Sequence, residues 1–371
     1  MILSLDPMKL TKDVVNNQTS DTLFQNVINL VKNNFPGVTH VSIAVPINSD
    51  AQFTGYGNKP SPRTPEAFTD FLLDTIHAAG FNAIIRSTDC YGEGIYNFPF
   101  QPNTAEYWIN EAVSHLITHK AHLKDGDIAA YFPEFEGESN GFGRNVTDSW
   151  SNFYTGLISA VNTWSTQNGI KITSHTTINE SEAPSGWYSQ IDVQAQGGFV
   201  VDYYPDANIT DSATWIANLA TMINNLNNKY GTKSYPIFLQ EIADTRNPND
   251  GSTQAANPQM LADAFTQILY PALKMGILNG LNLWNLFDTP QEGILMIDGD
   301  SVTLNPKGLA LAKAFQSVAV EPVSPSIPTP PPTHPTQPVA TNPPAFNFKG
   351  NITLSGATII SDGKGGLSLH F

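Results

Sequence analysis

Two stretches of the chain, DIAAYFPEFEGE (127–138) and YPIFLQEIADTR (235–246), decide the fold. Each holds a continuous apolar run that reaches a glutamate, Glu134 in the first and Glu241 in the second. Such runs are typical of parallel strands that are buried on both faces. Since the carboxyl ends of parallel strands in a barrel meet at one rim, the two carboxylates are predicted to lie there together.

Six further runs have the same strand character, and capped helical segments lie between most of them. One helix, for example, is predicted to begin at Thr64 and Pro65 and to end at Gly80. The strand candidates outside the two stretches are residues 2–5, 39–48, 81–89, 170–179, 199–206 and 276–285.

Eight strand–helix units over about 320 residues are typical of the (β/α)₈ TIM barrel, which is an α/β fold. Glu134 then ends strand four and Glu241 ends strand seven. A doubly wound open sheet is the alternative, and it would carry a glycine-rich first turn. No such turn occurs near residues 1–10 or 45–62, so the barrel is favoured.

Residues 321–344 contain ten prolines and neither lysine nor arginine. Tracts of this kind adopt extended polyproline II and act as semi-rigid spacers. The predicted organisation is therefore a catalytic barrel over 1–320, a proline-rich linker over 321–344 and a short β-rich tail over 345–371. The tail shows three short β runs and is too small to be stable alone. It is either part of a truncated module or a set of strands that pack elsewhere.

Composition excludes several classes of function. The chain has 33 acidic and 18 basic residues, for a net charge of −15, which argues against nucleic acid and anionic membranes as partners. No apolar run reaches the roughly 18 residues of a membrane span. The single cysteine excludes an intramolecular disulfide. The amino-terminal segment MILSLDPM is too short for a signal peptide and lacks the basic start of one.

Two carboxylates at one rim are suited to glycoside hydrolysis, where one protonates the leaving oxygen and the other acts at the anomeric carbon. Glu134 follows Tyr131 and Phe132, an apolar setting that favours the protonated acid. Glu241 must stay ionised, and Arg86 or the Tyr204 hydroxyl is expected to hold it so. The alternative for either glutamate is a rim salt bridge. Because Glu241 ends a strand, its removal is expected to leave the fold intact.

The domain resembles the clan of retaining (β/α)₈ glycoside hydrolases that includes family-5 cellulases and mannanases. The resemblance covers about residues 1–318 and implies Glu134 as acid/base and Glu241 as nucleophile. It further implies that Tyr203 and Tyr204, at the end of strand six, contact substrate. Trp284 in NLWNLFD matches a sugar platform on strand eight, and Arg86 matches an arginine near the nucleophile, although relatives commonly carry that arginine on strand two.

One departure from the clan concerns the acid/base. Relatives usually place an asparagine before it, to bind the sugar 2-hydroxyl, whereas Pro133 precedes Glu134 here. Glu136 follows two positions later and points to the same side if the strand continues, so it remains the alternative acid/base.

Further candidates lie near the predicted strand ends. Trp187, in a predicted loop, is suited to stacking on a sugar face, and His175 near the end of strand five is a candidate for substrate contact.

Three histidines in HLITHKAH, His115, His119 and His122, invite a metal interpretation. The metalloprotease pattern needs a glutamate directly after the first histidine, and Leu116 stands there. A solvated or capped helix end is expected instead, with no metal and no cofactor.

The sequence therefore predicts a retaining glycoside hydrolase that cleaves β-glycosidic bonds in a polysaccharide or oligosaccharide, monomeric and secreted or displayed on the cell surface. Two alternatives stay open: a non-catalytic carbohydrate-binding barrel, such as an adhesin or tail-fibre component, and a metal-dependent barrel hydrolase. The sugar, its linkage and endo or exo action are not determined by these patterns.

Overall fold

The computed structural model describes residues 2–6, 21–45, 64–87, 105–132, 147–179, 197–203, 211–229, 237–242, 257–283, 293–319, 351–354, 357–361 and 367–370. Eight parallel strands form the inner wall. They are β1 (Ile2–Leu5), β2 (His40–Val45), β3 (Asn82–Ser87), β4 (Ile128–Ala130), β5 (Thr173–Ser174 and Ile178–Asn179), β6 (Phe199–Tyr203), β7 (Ile237–Ile242) and β8 (Leu278–Leu283).

The pairing of these strands is that of a barrel. β1 pairs in parallel with both β2 and β8, so the first and last strands are neighbours. The first segment of β5 pairs with β4 and its second segment pairs with β6, each in parallel. Every strand thus has a parallel neighbour on either side, and the predicted (β/α)₈ architecture is confirmed.

In the described part of the chain, helices come after every strand except β5 and cover the outside of the sheet. They are α1 (Asp21–Asn34), α2 (Pro65–Ala79), α3 (Ala105–Thr118), α4 (Thr147–Asn168), α5 (Ser212–Lys229), α6 (Met260–Ala264, π-helical Phe265–Leu269 and Tyr270–Lys274) and α7 (Pro306–Ala319). No helix within these described ranges is both long and apolar enough to cross a membrane. The π-helical turn precedes Pro271, which has no N–H to donate to the preceding turn.

The ends of α2 show how local sequence sets the helix boundaries. Thr64 caps the first turn, accepting a hydrogen bond from the Ala67 N–H at 3.2 Å. Pro65 occupies the first turn, where its missing N–H costs nothing. Gly80 ends the helix in the left-handed region at φ 94°, which glycine adopts without a Cβ penalty. The boundaries predicted from the sequence are confirmed.

Two apolar clusters hold the barrel together. The larger one lies between the strands and the helices, and includes the stacked rings of Phe265 and Phe315 at 4.1 Å between centroids. The smaller one fills the barrel interior: Ile84, Ile128, Ala130, Val200 and Phe238. The Phe238 ring lies so close to Gly280 that a Cβ at that position would fall 2.0 Å from it. Glycine at 280 is therefore required for the phenylalanine to fill the interior.

Two β elements lie outside the barrel wall. A hairpin of β9 (Leu295–Asp298) and β10 (Ser301–Leu304) comes between β8 and α7 and was not predicted from the sequence. In the tail, β11 (Asn351–Leu354), β12 (Ala357–Ser361) and β13 (Leu367–His370) form an antiparallel sheet, in agreement with the three predicted β runs. The linker, 321–344, lies outside the described residues, and the domain boundary at 320 stays a prediction.

Truncation after residue 320 is expected to leave the melting temperature and the soluble-substrate rate unchanged. The reason is that α7 already closes the barrel, with Phe315 packed at 5.2 Å from the Phe35 ring and stacked on Phe265. The check is thermal unfolding of residues 1–320 beside the full chain. Truncation after residue 305 is the control, because it deletes α7 and its buried side chains and should unfold the barrel. A large loss in the 1–320 protein would place the boundary elsewhere.

Candidate active site at the carboxyl ends of the strands

The inward-facing side chains change from apolar to polar toward the carboxyl ends of four strands. Side chains two residues apart share a face of a strand, so each pair below shows one step along the interior. All eight residues are buried, and the second member of each pair is polar. The pairs are Ile84 and Arg86 on β3, Val200 and Asp202 on β6, Phe238 and Gln240 on β7, and Gly280 and Asn282 on β8.

Arg86 lies at the centre of this polar layer. Its guanidinium is fully buried and pairs with two carboxylates, through Nη2 to Glu241 Oε1 and through Nη1 to Asp6 Oδ2 at 3.5 Å. β3 and β7 are not neighbours in the ring, so the arginine reaches across the barrel to Glu241. A cation at this contact favours the ionised form of the glutamate.

The pair with Arg86 bears on two expectations about Glu241. Arg86 was expected to hold the carboxylate ionised, and the structure brings the two groups together. Glu241 is also 1% exposed, so its removal is expected to lower stability, and an intact fold without it stays a prediction. Deleting the carboxylate would leave a buried guanidinium short of a partner, which typically costs about 3–5 kcal/mol.

An irregularity in β7 explains how the consecutive residues Gln240 and Glu241 both contact groups inside the barrel. Neighbouring residues of a regular strand point to opposite faces. The pairing of β7 with β8 shifts register between Leu239 and Ile242, and its pairing with β6 shifts at Asp202. Within this bulged part, Gln240 contacts His175 while Glu241 contacts Arg86. The bulge therefore turns Glu241 toward the site.

Amide groups tie the polar layer together. Asn282 donates through Nδ2 to Asp6 Oδ2 at 3.1 Å and to the Gln240 carbonyl at 2.9 Å. Two buried amide atoms of this layer, Gln240 Nε2 and Asn282 Oδ1, have no hydrogen-bond partner among the described residues. A buried donor and a buried acceptor of this kind are suited to bind water or a hydroxylated ligand.

His175 is buried beside this layer. Its Nδ1 lies 3.5 Å from Gln240 Oε1, and its ring packs edge-on against Phe238 with 4.6 Å between centroids. Burial lowers the pKa of His175 to about 4, against the opposing effect of the Gln240 hydrogen bond. The histidine is therefore neutral at neutral pH, and its candidate role in substrate contact stays a prediction.

Acidification is expected to destabilise the protein through His175. The unfolded histidine titrates near pH 6.5 and the folded one near 4, so the unfolded state binds more protons between these values. Stability is then fully present above pH 6.5 and falls as the pH drops toward 4, by about 3 kcal/mol for this residue. Urea unfolding of His175→Gln at pH 7 and pH 4.5 should show a smaller difference than the wild type. Equal differences would contradict the assignment.

The end of β4 is held in an unusual backbone conformation. Phe132 has a positive φ of 55°, which is uncommon for a residue with a Cβ. Its N–H donates to Ser87 Oγ at 2.8 Å, and its carbonyl accepts from the Tyr154 hydroxyl at 3.0 Å. The same hydroxyl lies 3.3 Å from the Thr177 carbonyl. Side chains from β3 and α4 thus fix the direction in which the chain leaves β4.

Tyr154→Phe is expected to lower the free energy of unfolding by about 1–3 kcal/mol, because it leaves the buried Phe132 carbonyl short of a donor. Tyr270→Phe is the matched control. The Tyr270 hydroxyl makes a 3.4 Å bond to the Val318 carbonyl in a half-buried place, and its loss should cost less. Urea denaturation of both variants measures the difference, and an equal cost would argue against the clamp at Phe132.

Several predicted site residues are not placed by these observations. Glu134, its alternative Glu136, Tyr204, Trp187 and Trp284 lie outside the described residues. Tyr203 is the last residue of β6 and its backbone is in register with Ile242, next to Glu241. The site roles of those five residues and of Tyr203 stay predictions.

Two of the three histidines at and just after the end of α3 are packed inside the protein. His115 and His119 are buried, with His115 Nδ1 at 2.9 Å from the Tyr131 hydroxyl and His119 Nδ1 at 2.7 Å from Asp70. Burial lowers the pKa of His115 well below its usual value. A solvated or capped helix end was expected, and burial contradicts the solvated alternative for these two residues. Among the described side chains, no three acidic, histidine or cysteine groups are arranged to hold a metal ion.

Sequence reasoning missed four polar residues of the site, Asp6, Asp202, Gln240 and Asn282. All four are buried and lie in or next to the carboxyl-terminal halves of strands. The available signal was the polar residue that follows or interrupts an otherwise apolar strand, as in ILSLD at the amino terminus and FVVDY on β6. A buried carboxylate at the carboxyl end of a barrel strand indicates function more often than packing.

Comparisons with known proteins agree with this architecture. No protein-family model and no curated protein sequence matches the chain. Among solved structures, the chain is similar to a GH5-4 broad-specificity endoglucanase from an uncultured bacterium, with 14% identity over 80% of this chain and 84% of that one and a TM-score of 0.54. It is also similar to the catalytic domain of a GH26 endo-β-1,4-mannanase from Bacillus sp. JAMB-750, with 13% identity, 85% of each chain and a TM-score of 0.53.

A third similar structure is the GH1 β-glucosidase from Exiguobacterium antarcticum B7, with 11% identity over 80% of this chain and 86% of that one and a TM-score of 0.54. Likeness at these identities concerns the fold. The chain accordingly has a (β/α)₈ barrel of the kind found in these glycoside hydrolases.

Proposed function

We propose that the chain is a retaining glycoside hydrolase that cleaves β-glycosidic bonds in a polysaccharide or oligosaccharide. The observation that carries the proposal is the buried Glu241 carboxylate at the end of β7, paired with an arginine from the opposite side of the barrel. Active sites of this fold lie at the carboxyl ends of the strands. An ionised, oriented carboxylate there is the requirement for a nucleophile at the anomeric carbon.

In the proposed mechanism, Glu134 protonates the leaving glycosidic oxygen while Glu241 attacks the anomeric carbon and forms a covalent glycosyl-enzyme. Glu134 then acts as base for the water that releases the sugar with retained configuration. Retention requires the two carboxyl groups to lie roughly 5–5.5 Å apart, and Glu136 takes the acid role if it is the one at that distance.

The substrate-binding part of the proposal rests on aromatic and amide groups. Trp284, Trp187, Tyr203 and Tyr204 supply rings for the flat faces of sugars. Gln240 Nε2 and Asn282 Oδ1, which have no hydrogen-bond partner among the described residues, are suited to sugar hydroxyls or to the water between them. The acidic surface and the proline-rich linker are consistent with a secreted or surface-displayed monomer acting on a neutral glycan.

The test is digestion of a panel of β-glucans, β-mannans and xylans by the full chain, with sizing of the products. Release of sugars by the wild type but not by Glu241→Gln supports the proposal. Binding to a glycan without any cleavage by the wild type would support the non-catalytic carbohydrate-binding barrel instead. Cleavage that EDTA abolishes would support a metal-dependent hydrolase.

A further inference from the structure

Asp6 is the first polar residue after β1, and it is fully buried. Its N–H donates to the Leu283 carbonyl at 3.1 Å, at the end of β8. The residue therefore lies where the first and last strands of the barrel meet, and its side chain enters the polar layer of the site.

One oxygen of Asp6 receives donors from two other strands. Asp6 Oδ2 accepts from Arg86 Nη1 at 3.5 Å and from Asn282 Nδ2 at 3.1 Å. Asn282 Nδ2 also lies 2.9 Å from the carbonyl of Gln240, the residue directly before Glu241. A continuous set of hydrogen bonds thus runs from Arg86 through Asp6 and Asn282 back to the backbone beside Glu241.

The guanidinium needs a second contact, besides Glu241, to keep a fixed orientation toward the Glu241 carboxylate. An arginine has a long and flexible side chain, and its planar fork gives directional contacts only when it is held in place. Arg86 starts on β3 and extends across the barrel, and Asp6 binds one arm of the fork while Glu241 binds the other. Glu241 alone can balance the positive charge of Arg86, and Asp6 adds a second negative charge. The contribution of Asp6 is therefore the orientation of the guanidinium, not the neutralisation of its charge.

We propose that Asp6 is a positioning residue, which holds the Arg86 guanidinium in the orientation that keeps Glu241 ionised and aimed into the site. The catalytic meaning of this inference rests on the proposed function, because aiming Glu241 into the site serves the reaction only if it is the nucleophile. The alternative is that Asp6 merely fastens β1 to β8.

The test compares Asp6→Ala with Asp6→Asn. Both variants remove the same negative charge, but the asparagine amide oxygen still accepts from Arg86 and Asn282 whereas alanine does not. The titration of the Glu241 carboxyl is followed by ¹³C NMR in protein labelled at glutamate, with the resonance assigned by its loss in Glu241→Gln. In Asp6→Ala the carboxyl is expected to titrate about one pH unit higher than in Asp6→Asn, a tenfold change in ionisation.

Kinetics supply a second readout. The rate constant kcat of Asp6→Ala is expected to fall about tenfold below that of Asp6→Asn while KM changes little, because the loss concerns orientation at the reacting centre. Asp127→Asn is the control. Asp127 is equally buried, but it lies before β4 at the opposite end of the strands, where it accepts from the Ala83 and Lys124 N–H groups. Its loss should lower the melting temperature without moving the Glu241 titration.

Asn282→Ala covers the case in which Asp6→Ala does not fold. It frees Asp6 from one of its donors without deleting a charge, and it should also raise the Glu241 titration. Equal titrations of Glu241 in Asp6→Ala and Asp6→Asn, or an unchanged one in Asn282→Ala, would overturn the positioning role. If the titrations differ as expected but the wild type cleaves no glycan, the positioning role stands and the proposed function fails.

Discussion

Glu241→Gln is expected to abolish turnover, with kcat lower by several orders of magnitude, while the barrel stays folded. The amide cannot form the glycosyl-enzyme, so the covalent step is lost. Its oxygen still accepts from Arg86, so the buried contact is kept in part. Initial rates on a soluble glycan and a thermal melt, measured on the same preparations, check both parts.

Glu241→Ala is the informative companion of that variant. It should be as inactive as Glu241→Gln but less stable by about 3–5 kcal/mol, because the buried Arg86 guanidinium loses one of its carboxylate partners. Activity within about tenfold of the wild type in either variant would refute the role of Glu241, since a lost nucleophile costs far more.

Arg86→Met is expected to have a large effect on stability. Methionine fills a similar volume, but Asp6 and Glu241 are then two buried carboxylates without their shared cation. Breaking a buried ion pair by removing one partner costs about 3–5 kcal/mol. Urea unfolding of Arg86→Met beside the wild type measures this cost, and equal stability of the two proteins would contradict it.

Arg86→Lys separates charge from geometry. The ammonium keeps the positive charge but lacks the planar fork that contacts two carboxylates at once. It should therefore recover much of the stability and little of the activity. Full activity in Arg86→Lys would show that the site needs only a nearby cation, and that the paired contacts with Asp6 and Glu241 are incidental.

The fold was predictable because its signals are local. The apolar run before Glu241 and the Thr64 and Pro65 start of α2 each depend on residues within a few positions, and both agree with the structure. Even the four-residue strand β1 followed from the need for a strand before α1. Such patterns survive folding because tertiary packing does not oppose them.

The arrangement of the site was less predictable, since it depends on contacts far apart in sequence. Arg86 and Glu241 are separated by 155 positions. Their contact depends on the register shift in β7, which no residue type in the sequence indicates. His119 was expected at a solvated or capped helix end, and its partner Asp70, 49 positions earlier on α2, was not foreseen. Polar residues are read correctly only when their distant partners are known.

The most direct test of the central claim is to trap the glycosyl-enzyme. The full chain is incubated with a panel of 2-deoxy-2-fluoro-β-glycosyl fluorides, whose intermediates hydrolyse slowly, and the modified peptide is mapped by mass spectrometry. A sugar ester on Glu241 is the predicted result. Turnover of a glycan with inverted configuration and no adduct, or an ester on another carboxylate such as Asp202, would contradict the account.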